Sequence, residues 1–384
     1  MKRKLALLIL AVSRAACLDA GVAFGLAKAA SKRTLGLIES VAPPACGAPP
    51  YFTYSPMAYA ALTSITPLGN LNPTGHVFPT DHVYLNLQNN QTRSDVYAPG
   101  DAVVTLVTKV DDSLTPYTEY KIEFSPCRNV TGYFDHMSSI SSIVSSQAGS
   151  FDNCNTYATG GYTYTTCSKA TSFKVRAGDV LGTCGAPGQV STGLDLGVYD
   201  TRRPLPFANP SRHYPSSLYA VCPLDYFASG VQDQLAALLG YGNTRRSVPP
   251  LCGQVNQDVA STAQGDWYLA GNTSQQEDSN LALVHDNIDP VKGVFSVGNA
   301  VSGLSSGSYK FTPAASGKVN RDFSQVAADG NVYCYDTFSG APNGFTGTIL
   351  VQMADSANLK IERGAASPCG GGPWSFSSPA SFLR

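Results

Sequence analysis

VVTLVTKV at residues 103–110 and YKIEF at residues 120–124 set the fold class. Both runs are dense in β-branched and aromatic residues, which suit the pleated, half-buried surface of a sheet. Segments 173–175 and 194–199 read the same way. From about residue 65 to 200 the text is strand-like, punctuated by Gly, Pro and Asn. Farther on, apolar segments recur around 267–269, 281–284, 294–297, 309–311, 332–335, 348–353 and 359–362. Short strands joined by polar turns predict a small β-sandwich or barrel. The clearest helix is 232–239, with Leu235, Leu238 and Leu239 on one face. The expected chain is mainly β.

Pro-rich breaks divide it. One lies at Ala42-Pro43-Pro44 to Pro49-Pro50 and another near 247–253, around Pro249-Pro250. The expected division is a signal peptide over 1–20, a leader or linker over 21–64, a first β domain over 65–248 and a second over 253–384. Gly370-Gly371-Gly372 and many serines predict a loose tail at the end.

Export is read from the N-terminus. Lys2-Arg3-Lys4 followed by an apolar run from Leu5 to Val12 has the charged and apolar regions of a signal peptide, too short to span a membrane. No other segment reads as transmembrane. Cys17, after Ala15-Ala16, offers a lipid anchor, although Arg14 stands where a bacterial lipobox carries Leu. Charged residues are only 14% of the 384, and the formal net charge of −1 leaves no basic footprint for nucleic acid.

Ten cysteines agree with export, and nine remain if Cys17 leaves with the signal. No C-x-x-C spacing signals a zinc ribbon or redox pair, so disulfides are expected. Cys154 with Cys167 closes a Tyr/Thr/Gly-rich loop, and Cys334 with Cys369 is a second candidate pair. An odd count leaves one thiol over.

The chemistry-bearing residues lie in the first β domain. Asp81-His82-Val83-Tyr84-Leu85-Asn86 precedes Val96-Tyr97-Ala98-Pro99-Gly100-Asp101-Ala102-Val103-Val104. Next come Tyr133-Phe134-Asp135-His136-Met137-Ser138 and Val175-Arg176-Ala177-Gly178-Asp179-Val180-Leu181-Gly182, then Gly193-Leu194-Asp195-Leu196-Gly197-Val198. In this order the pieces resemble the lysostaphin-type zinc endopeptidases over about residues 70–227. The resemblance implies their duplicated-hybrid-motif β fold, a groove for cell-wall peptides, and zinc held by a His, an Asp four residues later and the second His of a closing H-x-H.

The middle elements match and the ends do not. His82 stands at the first ligand position, and His136 matches the family's pocket histidine. Asn86 stands where the Asp belongs, and Asp195 and Gly197 stand where the closing pair belongs. Residues 195 and 197 share a strand face, but Gly197 has no side chain to offer. Catalytic zinc needs three protein ligands and an open position.

His76, Asp81 and Asp135 are further donors nearby. His82, His136 and Asp195 would make a two-His, one-carboxylate set able to take zinc or another divalent ion. The bland alternative leaves Asp195 bonded within the strand end. The C-terminal third, with only His285 and scattered acids, is assigned no chemistry.

These observations predict an exported, non-catalytic relative of the zinc endopeptidases (a pseudoenzyme) of the cell envelope or exterior. It is expected to bind a peptide, glycan or envelope partner such as peptidoglycan, with Tyr84, Tyr133 and His136 as binding residues and no cofactor. Two alternatives stay open. One is an active zinc-dependent hydrolase of cell-wall peptides using His82, His136 and Asp195. The other is a purely structural extracellular module. His82, His136 and Asp195 are expected to meet in one cluster roughly 10 Å or less across, the scale of neighbouring positions on adjacent strands.

Overall fold

A computed structural model describes residues 41–88, 93–115, 117–185 and 193–384. The expected signal peptide and Cys17 fall outside these residues. The protein is mainly β. Its first sheet takes in β1 (Leu62–Thr66), β2 (His82–Leu87), β3 (Ser94–Tyr97), β4 (Ala102–Asp112), β5 (Thr118–Cys127) and β6 (Val130–Ile140). After helix α1 (Ser142–Ala148) it continues with β7 (Asn153–Thr159), β8 (Tyr162–Val175), β9 (Val180–Cys184), β10 (Gly193–Asp200) and β11 (Ala220–Val221). The main path runs β1-β2-β10-β6-β5-β4-β8-β7, with β11 on β10, and with β9 joining β3 to β6. The β-branched runs read from the sequence are β4 and β5, paired from Val103↔Ser125 to Asp111↔Thr118.

Helix α2 (Ser229–Ala236) starts three residues before the expected segment and buries Leu235. A small hairpin, β12 (Gly240–Tyr241) and β13 (Thr244–Arg245), leads to the second sheet. That sheet comprises β14 (Gly265–Leu269), β15 (Leu281–His285), β16 (Gly293–Val297), β17 (Gly307–Phe311), β18 (Tyr333–Tyr335), β19 (Gly347–Met353), β20 (Asn358–Ala366) and β21 (Ala380–Leu383). Its order is β17-β16-β15-β14-β21-β20-β19-β18. Ser339, just beyond β18, exchanges backbone hydrogen bonds with Lys310 of β17, so the two edges nearly meet and the sheet is barrel-like. Its interior is aromatic, with Phe295, Phe311, Phe323 and Tyr335 packed ring against ring.

The expected loose tail is corrected. Residues 380–383 form β21, which sits between β14 and β20 and buries Phe382 completely. An apolar ring at the middle of a strand outweighs the Gly- and Ser-rich text before it. Residues 41–64, read as the end of a leader, are packed as well. Phe52 is fully buried against Phe227, and Cys46 is bonded to Cys127.

The described residues, both sheets included, lie within one compact unit. Val77 and Phe78, on the chain leading to β2, bury against Tyr268, Ala282 and Val284 of the second sheet. Glu277 accepts the Phe78 N–H at 2.8 Å, and Asn287 donates to the Pro67 carbonyl at 3.0 Å. A hairpin crosses as well. β7 and β8 turn on Gly160-Gly161, both at positive φ, as a two-residue hairpin turn requires. At that tip Asp278 accepts from Thr159 Oγ1 and Gly160 N–H at 2.8 and 2.6 Å.

Four disulfides close the described chain: Cys46–Cys127, Cys154–Cys167, Cys222–Cys252 and Cys334–Cys369. They fit a secreted or extracellular protein. Among the described residues no helix is long and apolar enough to cross a membrane. Cys184 is the free cysteine of these residues, fully buried on β9. Thiol counting on residues 41–384 is therefore expected to find one reactive group in denaturant and none in native buffer. Three or more under denaturing, non-reducing conditions would contradict the framework.

Candidate functional site

β2, β6 and β10 are neighbours in the sheet, and their register assembles the site. Gly197 pairs with both His82 and Tyr133, and Asp195 pairs with both Tyr84 and Asp135. Side chains of alternate residues share a face, so His82 and Asp195 point the same way. His136 follows Asp135 in the left-handed region, at φ 63°, where the pairing of β6 is irregular. Such a distortion re-aims a side chain, here towards Asp195.

Asp195 Oδ2 lies 3.2 Å from His82 Nε2 and 3.5 Å from His136 Nε2. The opposite nitrogen of each ring also meets a carboxylate. His82 Nδ1 is 3.1 Å from Asp81 Oδ1, and His136 Nδ1 is 2.6 Å from Glu119 Oε2. Asp81 is itself held by three hydroxyls: Tyr133, Tyr199 and Ser217 donate to it at 3.2, 3.0 and 2.6 Å. The expected meeting of His82, His136 and Asp195 is thus found, and Asp81 belongs to the same network.

Burial opposes the charge on both rings, but the carboxylates outweigh it. Asp195 and the hydrogen bond to Glu119 lift the His136 imidazolium up to about 10. Asp195, with Asp81 behind it, holds His82 well above its ordinary value. Asp81 and Asp195 are correspondingly held low, against the cost of their own burial. His76 behaves oppositely. Its ring meets His82 edge-on at 5.8 Å, and burial together with that neighbouring charge pushes it down to about 4. Near neutral pH the cluster therefore holds two imidazolium ions among carboxylates, with a neutral His76 beside them.

The residues do not fit the zinc that the family resemblance implies. The amide of Asn86 donates to Ser64 Oγ and Thr66 Oγ1 at 3.1 and 2.9 Å, so it serves β1. At Gly197 a Cβ would lie 2.0 Å from the Tyr133 ring, so the place of a closing ligand is filled by tyrosine. Among the described residues no group of three or more His, Cys, Asp or Glu is arranged to hold a metal ion. Ligation by His82 and His136 would also require their protons to leave.

Tyr133 is 4% exposed, stacked on Tyr199 at 5.6 Å, with Lys121 Nζ 4.2 Å from its ring centre. Tyr84 packs edge-on to His82 at 4.7 Å. His136 differs, because its side chain is 41% exposed against 8% for His82 and 7% for Asp195.

A cavity of about 480 Å³ lies over the cluster. Its lining includes His82, Tyr133, Asp135, His136 and Asp195 of the first sheet, Tyr157 and Thr159 of the β7–β8 hairpin, Asp266 of β14 and Glu277 of the β14–β15 loop. The last two were missed in the C-terminal text. Their sequence signal is absent, because an isolated Asp in GDWYL and a Glu in a polar turn carry no motif. A roomier hollow of about 680 Å³ beside α2 holds none of these groups.

Neither a family model nor a curated protein matches the chain.

Proposed function

We propose that this protein is an exported, non-catalytic relative of the lysostaphin-type zinc endopeptidases that binds a peptide or glycan of the cell envelope in this cavity. The observation that carries the reading is the half-exposed His136 ring, fixed between Glu119 and Asp195 on the cavity wall, beside ligand positions occupied by Asn86 and Gly197. Polar groups converging in a concavity mark a binding site. The wall is rich in acceptors, Asp135 and Asp195 among them, and suits the N–H and O–H groups that peptides and glycans both present. Cys17 supplies the anchor if the protein stays at the envelope.

The test is titration of the purified protein with soluble peptidoglycan fragments and with oligoglycine, while zinc content and turnover are followed on the same samples. Expected is saturable binding, weakened at least tenfold by His136→Ala, with no turnover. Zinc-dependent cleavage lost on His82→Ala would replace this reading with the hydrolase. Absence of binding to every fragment would leave the structural module.

A further inference from the structure

The cavity lining carries a polar side chain whose needs the protein does not meet. Asp266 on β14 is 4% exposed, lines the cavity, and its Oδ1 has no hydrogen-bond partner. The nearest basic nitrogen to its Oδ2 is His213 Nε2 at 3.9 Å, on a ring that burial pushes down to about 4 and so leaves uncharged near neutral pH. That nitrogen is already taken by Tyr268 Oη at 2.6 Å. Buried polar atoms are almost always satisfied, and a carboxylate left without a donor costs more than a neutral group. Arg212 lines the same cavity with an unpartnered Nε, its guanidinium lying 4.5 Å over the Tyr268 ring and donating to the Ser274 carbonyl.

Among the described residues no ion pair joins Asp266 to a Lys or Arg. Asp258 and Glu277 add to the effect of its burial, and burial likewise pushes the Glu277 carboxyl up to about 8. Arg384 is already engaged, lying 3.8 Å from Asp258 and donating to the Val259, Thr262 and Gln264 carbonyls. A neutral donor would satisfy Asp266 Oδ1 but would leave its carboxylate form without a counter-ion. An ammonium group does both.

We infer that Asp266 and its surroundings form a second subsite of the cavity, which takes the primary ammonium group of an amine-bearing ligand. This deepens the binding role proposed above and rests on it: one ligand would lie between His136 and Asp266. Burial, with Asp258 and Glu277 adding to it and Arg384 opposing, pushes the Asp266 carboxyl well above its ordinary range. A carboxyl that lacks its counter-ion behaves this way.

The probe is N-acetyl-lysine methylamide, compared by calorimetric titration with its uncharged counterpart N-acetyl-norleucine methylamide on the full chain at low ionic strength. The lysine probe is expected to bind at least tenfold more tightly, and Asp266→Asn, which keeps the side-chain shape, is expected to abolish that preference. The wild-type comparison stands even if the variant misfolds. Equal binding of the two probes, or an unchanged preference in Asp266→Asn, would overturn the subsite and leave Asp266 as an acid served by water. The outcomes separate from those of the binding role itself. Fragments that still respond to His136→Ala without any amine preference remove only the subsite. An intact amine preference without fragment binding removes the envelope ligand instead.

Discussion

Replacing Cys46 and Cys127 together by alanine is expected to lower stability by about 4.5 kcal/mol, the loop-closure value for a separation of 81 residues. The bond ties the segment before β1 to the end of β5. Cys127 is 2% exposed, and Arg128 donates its N–H to the Pro44 carbonyl at 2.9 Å, so the strap lies flat on the sheet. It also precedes Phe52, whose ring is fully buried against Phe124 and Phe227. Without the bond this packing must hold residues 41–52 unaided. The same relation gives about 3 kcal/mol for Cys154–Cys167, whose separation is 13 and which joins directly paired positions of β7 and β8. Denaturant midpoints of the two double variants check the order. A smaller loss for Cys46–Cys127 than for Cys154–Cys167 would show that the unfolded chain does not set the effect.

The strands legible in the sequence share a property: each carries its own β-branched or aromatic run. Segments 103–110, 120–124 and 194–199 became β4, β5 and β10, and segments of the last third became β14 to β20. The misses are strands whose neighbours do the work. β7 is exposed along nearly its whole length, so it shows no buried alternation. It exists because its register on β8, the Gly160-Gly161 turn and Cys154–Cys167 fix it. The Gly-Gly pair between Tyr- and Thr-rich runs was the available signal. β21 has only four residues, and its stability comes from β14 and β20, far away in sequence.

The site was legible only in its first half. His82, His136 and Asp195 were drawn together by the order of motifs, and the strand register does bring them together. Asp81 was visible as a neighbour, but its central place depends on Tyr199 and Ser217, 118 and 136 residues away. How closely Tyr133 packs on β10 was not legible, because it depends on the missing Cβ of Gly197 across the strand pair. That vacancy is what lets the ring sink between strands and become part of the network. Asp266 and Glu277 enter by contact between the two sheets, which no local pattern encodes.

Asp195→Asn is expected to destabilise the protein by about 3–5 kcal/mol near pH 6, the range for removing one partner of a buried ion pair. The carboxylate is 7% exposed and faces two imidazolium rings, so the amide leaves both with less compensation. The pH dependence gives the effect its signature. Asp195 is held below its ordinary 3.8, so its contribution is present above that value and lost as pH falls through the folded-state pKa. His82 and His136 are raised above 6.5, so theirs is complete below 6.5 and lost as pH rises, for His136 through about 10. The difference between wild type and Asp195→Asn is therefore widest between about pH 4 and 6.5 and narrows on both sides. Urea unfolding of both proteins from pH 3 to 10 measures it, and His82→Gln added to Asp195→Asn is expected to recover part of the loss by removing one stranded cation. A difference that stays flat across this range would mean that the histidines are neutral in the folded protein. Their nitrogens would then be free to ligate, and the case against zinc would lose its electrostatic half.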